Sequence, residues 1–307
     1  MEDASARRVE KCPCCGTGSA APSRLFPSFE ALAGGVRYTH PAYAVCLCPV
    51  CGLNYKSCSP SLEILDEYYS RLEFVSYDRD RLFPPDKKII SLLSGYRDRD
   101  ILDFGCGAGR ILSFFSDRNT CYGVEINEEA AKIASSKNIR IITEASLAKD
   151  PGDRFDAILL TDVYEHLYAP FNTLEMLGSK LKRGGRLIIS TGNADLVKKK
   201  MLPGEWWYFR VFGHLQASSY AHTGWLAAKL SLRNLATYDL SHYDTPFFER
   251  ARQKFYFAVY SRFKNKPRSV ATKMVGLIPK MNRARNWEVA PSLTCTRDHS
   301  LIVFERP

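Results

Sequence analysis

The sequence predicts an α/β protein: a largely parallel sheet with helices on both faces, preceded by a small metal-binding module. Three observations carry that expectation. Strand-length apolar runs alternate with helix-length amphipathic segments from about residue 96 onward. One of those strands runs directly into a glycine-rich turn, ILDFGCGAGR. Two cysteine pairs of one frame, CPCCG and CPVCG, stand ahead of all the alternating segments.

Residues 1–60 are rich in Cys, Gly and Pro and show no long periodic pattern, which suits a small unit pinned by a metal. Ser61 is placed to cap a helix whose apolar positions are Leu62, Leu65, Tyr69 and Leu72, and a second helix is expected from about Asp86 to Leu93. Residues 61–95 therefore read as a helical linker or lid. From residue 96 the order is DILDFG as strand, GRILSFFSD as helix, TCYGVEI as strand and EEAAKIASSK as helix. NIRIIT, FDAILLTD and GRLIIST follow as strands, with a helix from Phe171 to Leu181 between the last two. LATYDLSH and the terminal SLIVFER complete the sheet, so residues 96–307 form one domain. Within it residues 196–232 elaborate a pocket and residues 245–295 are an insertion between the last two strands.

Bulk composition bounds the class. Of 307 residues, 45% are apolar and 25% charged, the balance of an ordinary globular protein. The start, MEDASARRVE, lacks the apolar stretch of a secretory signal, and no run approaches the roughly 20 apolar residues that span a bilayer. A cytoplasmic location is the default expectation. Ten cysteines without an export signal argue for metal or buried thiols over a disulfide framework. The net charge is +10, and residues 249–288 hold eleven Lys or Arg against two acids, so the basicity is regional.

In the glycine turn, Gly105, Gly107 and Gly109 permit positive φ and close approach of a ligand to backbone. The spacing is G-x-G-x-G led by Asp103, unlike the G-x-G-x-x-G of dinucleotide enzymes, and a helix opening there would present free N–H groups. Glu125 ends the next strand 22 residues after Asp103, where a carboxylate can accept both hydrogen bonds of a ribose diol. Strand, loop, helix, strand and acid in that order point to nucleoside binding.

The two C-P-x-C-G frames select Cys12, Cys15, Cys48 and Cys51 over the extra Cys14 and Cys46. Four thiolates in paired turns make the closed tetrahedral site of structural Zn2+, worth on the order of 10 kcal/mol to a unit too small to fold by its core alone.

Asp103, the three glycines, Glu125, FDAILLTDVYEHL and LKRGGRLIIST together resemble the class I S-adenosylmethionine-dependent methyltransferases, roughly from Tyr96 to Thr191 and more loosely to the C-terminus. The resemblance implies a Rossmann-like methyltransferase sheet with S-adenosylmethionine as cofactor. Asp103 and the glycines would surround its methionine part, Glu125 would hold its ribose with Ile126 alongside, and Asp162 would flank the methyl group. The cysteine module followed by CGLNY and DEYYS is similar to that of bacterial methyltransferases acting on small molecules and sugars. An NAD-type dehydrogenase is the runner-up for the loop, disfavoured by its glycine spacing and by LKRGG.

Methyl transfer needs in-line positioning and removal of the acceptor's proton. TDVYEH follows the fourth strand at the ligand edge of such a sheet, which makes His166 the base candidate and Glu165 its neighbour. Alternatively His166 or Glu165 fixes the following loop. A third reading takes Asp162, Glu165 and His166 as similar to the E-x-x-E-H set that binds a divalent ion such as Mg2+ in small-RNA 2′-O-methyltransferases and ubiquinone-pathway O-methyltransferases. Downstream, each of Trp206, Trp207 and Tyr208 taken alone reads first as core, while the region as a whole reads as an acceptor pocket in which they would stack on a sugar or aromatic ring and His214 or His222 would reach the acceptor hydroxyl. The basic segment reads as a solvated helical face, as a contact for anionic membrane lipid or a lipid-linked glycan, or as a contact for nucleic acid. TDVY stands where enzymes of exocyclic base amines carry Asn or Asp before Pro-Pro, so nucleic acid is the weaker partner. The expected function is methyl transfer to a hydroxyl, less readily a carbon or nitrogen, of a small molecule or glycan precursor. Biosynthesis of a surface polysaccharide or secondary metabolite is the setting the resemblance suggests. The alternatives are an RNA methyltransferase and a non-catalytic binding module.

Overall fold

The computed structural model describes residues 6–18, 24–72, 81–263 and 290–307. Seven strands make the main sheet: β8 (Asp100–Phe104), β9 (Thr120–Val124), β10 (Ile139–Ile141), β11 (Phe155–Thr161), β12 (Leu181–Gly192), β14 (Arg233–Leu240) and β15 (His299–Glu305). Their spatial order is β10-β9-β8-β11-β12-β15-β14. β8 pairs parallel with β9 and β11, and β11 with β12, while β15 runs antiparallel to both β12 and β14. The order reverses beside β8, so the loops after β8, β9 and β11 open into one crevice at the strands' carboxyl ends.

Continuous burial explains the unbroken apolar runs: every side chain of β11 from Phe155 to Leu160 is buried. Helices α3 (Glu128–Ser136) and α5 (Pro170–Ser179) pack on the sheet, α3 capped by the Asn127 side chain and α5 opened by Pro170. α1 (Leu62–Ser70) starts where expected, with Ser61 Oγ accepting from Ile64 N, and α2 (Pro84–Leu92) follows.

One expected helix is absent. GRILSFFSD forms turns around a 3₁₀ segment at Leu112–Phe114. Ser113 Oγ donates to the Arg110 carbonyl at 3.1 Å and Asn119 Nδ2 to that of Phe115 at 3.1 Å, taking acceptors that a regular helix would use. Ile111, Leu112 and Phe115 are still buried, so the apolar spacing that suggested a helix reports packing.

The first 60 residues hold more strand than their composition suggested: β1 (Ala6–Arg8), β2 (Leu25–Phe26), β3 (Phe29–Ala33), β4 (Val36–His40), β5 (Tyr43–Leu47), β6 (Asn54–Lys56) and β7 (Cys58–Pro60). Their small sheet, β13-β6-β5-β2, is completed by β13 (Gln216–Ala217) from far along the chain. Buried Lys56 adds a second tie to that distant segment, donating from Nζ to Val211 O at 3.3 Å and to His40 Nε2 at 3.0 Å. The basic segment follows β14 in the chain and precedes β15. Its first part is α8 (Phe247–Phe263), and residues 264–289 lie outside the described residues. No helix among the described residues is long and apolar enough to cross a membrane.

Candidate functional site

The glycine loop leaves β8 with φ of +84° at Gly105, +52° at Gly107 and +73° at Gly109. Close packing fixes two of these glycines. A Cβ on Gly105 would stand 2.4 Å from Val163 Cγ2, and one on Gly109 2.3 Å from Ile139 Cδ1. The donors are not all free, contrary to the sequence expectation. Gly107 N–H donates to Glu125 Oε2 at 2.8 Å, and Asn127 N–H to Oε1 at 2.7 Å. Each oxygen of Glu125 keeps a second lone pair, so the carboxylate is held rigid and can still accept from a diol. Ile126 beside it is exposed.

Asp103 is buried at the end of β8, and its Oδ1 has no hydrogen-bond partner among the described residues. Burial raises its carboxyl to about 7, reinforced by Asp86 and Glu125 and opposed by Arg110. Arg110 is itself ion-paired to buried Asp86 of α2 at 3.0 Å, which ties the helical linker to the loop. An orphaned carboxylate oxygen, a rigid acid one strand away and a backbone turn between them fit the methionine ammonium and ribose of S-adenosylmethionine.

After β11 the chain makes a 3₁₀ turn at Tyr164–His166. Its backbone is clamped from β13: Gln216 Nε2 donates to Tyr164 O at 2.8 Å and Leu167 O at 2.9 Å, and Leu215 N to Glu165 O at 2.8 Å. Glu165 is buried and receives Thr191 Oγ1 on Oε2 at 3.0 Å. Thr191 is in turn 3.0 Å from Tyr208 Oη, which accepts from Gly192 N at 2.9 Å. Oε1 has no partner. Burial, with Asp162 nearby, raises the Glu165 carboxyl to about 7.

His166 Nδ1 lies 3.0 Å from Gly213 O and 2.6 Å from Tyr69 Oη of α1. With its proton on Nδ1 the ring donates to the Gly213 carbonyl and Nε2 keeps a lone pair; with the proton on Nε2, the Tyr69 hydroxyl donates to Nδ1 instead. Burial lowers this imidazole to about 4 and keeps it neutral. His214 is buried against it, ring centroids 4.8 Å apart, with Nδ1 unpartnered and its pKa also pushed down by burial. One ligating atom from each of Glu165, His166 and His214 falls within 4.8 Å of the others. Asp162 is not in that set. It groups with His242 and His299, which corrects the expected Asp162–Glu165–His166 trio.

Burial decides two further readings. Trp206 and Tyr208 are fully buried and stack on each other at 4.4 Å, so they are core and not a platform for a ring, while Trp207 is half-buried. His222 is also fully buried: Nδ1 donates to Cys51 O at 2.9 Å and Nε2 accepts from Tyr164 Oη at 2.6 Å, leaving nothing for an acceptor.

The cysteine pairs form two matching knuckles. Gly16 N bonds Cys12 O at 2.9 Å and Gly52 N bonds Cys48 O at 3.0 Å, both glycines at φ +72°. Cys12 Sγ and Cys51 Sγ are 3.5 Å apart, Cys15 Sγ and Cys48 Sγ 3.4 Å, and all four lie within 4.8 Å of one another. A tetrahedral ion with bonds of about 2.3 Å needs sulfurs about 3.8 Å apart, so the set fits Zn2+ closely. Cys14 is buried beside the site, nearer Cys51 and His222. The second knuckle rests on the start of α7 (Tyr220–Lys229), where Ser219 Oγ donates to Gly52 O at 2.7 Å. Sequence reasoning passed over Tyr69, Tyr164, Thr191, His242, Asp298 and His299. For His242 and His299 the signal was available, since each sits where a strand meets the ligand edge.

Residues 71–237, more than half of the chain, match the family described as a methyltransferase domain. A ubiquinone biosynthesis O-methyltransferase of Nitrosospira multiformis is 26% identical over 154 residues, covering 45% of this chain and 64% of that protein. The enzyme of the same name from a Bradyrhizobium species is 32% identical over 135 residues, covering 41% and 51%. The chain thus spans about half to two thirds of the length of these curated relatives. Among solved structures it is similar to the YcgJ protein of Bacillus subtilis, with 18% identity, a TM-score of 0.48, and coverage of 73% of this chain and 98% of that one. It is also similar to a methyltransferase from Archaeoglobus fulgidus, with 17% identity, a TM-score of 0.47, and coverage of 80% and 100%.

Proposed function

The chain belongs to the methyltransferase-domain family, and we propose that it transfers the methyl group of S-adenosylmethionine to a hydroxyl of a small molecule or glycan precursor. The observation that carries the hydroxyl reading is the neutral His166, which in the tautomer that donates from Nδ1 to Gly213 O keeps an Nε2 lone pair directed away from that bond. When bound, the cofactor supplies an electrophilic methyl group on a sulfonium. Asp103 holds the ammonium, Glu125 holds the ribose, and Asp162 flanks the methyl. His166 takes the acceptor's hydroxyl proton at Nε2, with Tyr69 and Gly213 fixing the ring. Cys12, Cys15, Cys48 and Cys51 hold Zn2+ as a structural ion with no position left for water.

A second reading rests on a specific observation. Glu165 Oε1 and His214 Nδ1 are buried without partners among the described residues and converge with His166, two imidazoles and a carboxylate able to take a divalent ion, a transition metal more readily than Mg2+, in place of base catalysis. The exposed Phe247, Phe248 and Phe255 of α8 sit among Arg250, Arg252 and Lys254, which supports contact with anionic lipid or a lipid-linked acceptor over a purely solvated face.

The test uses purified protein, methyl-labelled cofactor and host extract split into RNA, protein, lipid-glycan and small-molecule fractions. Label entering the lipid-glycan or small-molecule fraction supports the reading, and label entering RNA replaces it. His166→Ala should abolish turnover and leave cofactor affinity unchanged. A requirement of the wild-type enzyme for a divalent ion, lost together with turnover in Glu165→Gln, would favour the metal reading.

A further inference from the structure

We propose that Asp162, His242 and His299 form a divalent-cation site of their own, beside and distinct from the Glu165–His166–His214 group. One ligating atom from each lies within 4.8 Å of the other two. Asp162 Oδ1 and His242 Nδ1 face each other at 3.6 Å, and both are shielded from solvent without a hydrogen-bond partner among the described residues. Two buried polar atoms left unpaired cost about 1–3 kcal/mol each, and a cation between them removes both penalties together. Donors bound at about 2.1 Å stand roughly 3.0–3.4 Å apart, so the pair needs to close by only a few tenths of an ångström.

The third donor is prepared from behind. His299 Nδ1 is 2.9 Å from Asp298 Oδ1, which places the ring proton there and frees Nε2. Asp298 is fully buried and saturated by other donors: Trp207 Nε1 at 2.9 Å and Trp206 Nε1 at 3.4 Å on Oδ2, and His242 N at 3.3 Å on Oδ1. A carboxylate behind a ligating imidazole fixes its tautomer and raises its basicity. The three ligands stand at the end of β11, just after β14 and at the start of β15, each on the rim of the main sheet. Two imidazoles and one carboxylate suit Zn2+, Fe2+, Co2+ or Mn2+ better than Mg2+ or Ca2+.

The Asp162 side chain is 25% exposed and that of His242 12%, against 1% for His299, so the site opens on the Asp162 side. An open coordination position there would take the acceptor's hydroxyl oxygen. That consequence rests on the methyl-transfer reading, and the site itself does not.

The experiment is a Co2+ titration of protein whose cysteine site is already filled with Zn2+, followed by visible absorption. Cobalt bound by nitrogen and oxygen gives ligand-field bands without the near-ultraviolet thiolate band that cobalt in the cysteine site would give. Wild type should bind Co2+ in this way, His242→Ala and Asp162→Asn should each weaken it roughly 10- to 100-fold, and Glu165→Gln should leave it unchanged. No such band in wild type, a band unchanged in folded Asp162→Asn, or one lost in Glu165→Gln would each overturn the assignment. Only loss in Glu165→Gln would move the ion to the neighbouring group. Because the readout is binding, failed methyl transfer would not count against the site.

Discussion

Replacing Asp103 by Asn separates the two roles of its buried carboxyl. Burial holds that group at about 7, whereas an ordinary Asp titrates near 3.8. An ammonium pairs with the carboxylate and not with the acid, so cofactor binding below pH 7 must first remove a proton. Between pH 8 and pH 6 the ionised fraction falls from about nine tenths to about one tenth, which predicts roughly tenfold weaker binding, about 1.4 kcal/mol. Asp103→Asn should abolish that slope and weaken binding at pH 8 by roughly 10- to 100-fold, the loss of one charge-assisted hydrogen bond. Stability of the cofactor-free protein moves the other way. A folded pKa above the unfolded one gives stability that is present below pH 3.8 and lost as pH rises through 7. At pH 8 the variant should therefore be the more stable, by at most about 4 kcal/mol, with the gap opening between about pH 4 and pH 7. Calorimetric titration of cofactor across pH 6–8, with urea unfolding at the same values, measures both. Glu165, at about 7, and Asp86, at about 6, titrate in the same window, and subtracting the variant isolates Asp103. Wild-type affinity flat from pH 6 to 8, or a slope that survives in the variant, would refute the reasoning.

Purified protein should contain zinc in equal stoichiometry, and a strong chelator or Cys15→Ser should lower its melting temperature markedly; protein without metal would remove the knuckle as a zinc site. Gly105→Ala combines φ of +84° with a contact of 2.4 Å to Val163, so it should destabilise by about 1–3 kcal/mol in denaturant unfolding. Val163→Ala in that background should recover the steric part only, and full recovery would mean that backbone conformation is not limiting. His222→Phe leaves Cys51 O and Tyr164 Oη buried without their partner, which predicts a loss of about 2–4 kcal/mol. Folded His222→Phe should also turn over more slowly with cofactor affinity unchanged, and an unchanged kcat would show that the link does not position the turn.

The sheet was legible because buried parallel strands have little choice of composition: DILDF, TCYGV and FDAILLT read as strands and are strands. The cysteine set was legible because the C-P-x-C-G frame occurs twice, and the structure brings its four thiols together. GRILSFFSD misled because Ile111, Leu112 and Phe115 repeat at helical intervals while Ser113 and Asn119 take the carbonyls. The aromatic run at 206–208 was left open by its sequence for a different reason. Ring stacking within a core and ring stacking on a ligand leave the same residues in the sequence, and only depth separates them. Asp162 was grouped with Glu165 and His166 by likeness to the E-x-x-E-H set of other methyltransferases. Its φ of +55° and its 3.6 Å approach to His242 set it with residues 80 and more positions away, which no local pattern encodes.

The distant contacts also tie the N-terminal cysteine knuckle to the turn that carries Glu165 and His166, which it does not touch. A single 3₁₀ turn such as Tyr164–His166 has little stability of its own, so outside groups must hold Glu165 and His166 in place. The holding groups come largely from residues 213–222: Gly213 O on His166, Leu215 N on Glu165, Gln216 Nε2 on Tyr164 and Leu167, and His222 Nε2 on the Tyr164 hydroxyl. That segment is anchored on the module, through β6 pairing with β13 and through Cys51 O and Gly52 O accepting from His222 and Ser219. Burial holds His222 at about 4, neutral, so its Nδ1–H donates to Cys51 while Nε2 accepts from Tyr164. Each link is a directed hydrogen bond between buried groups, so a displacement at Cys51 has no slack in which to dissipate before it reaches the residue next to Glu165.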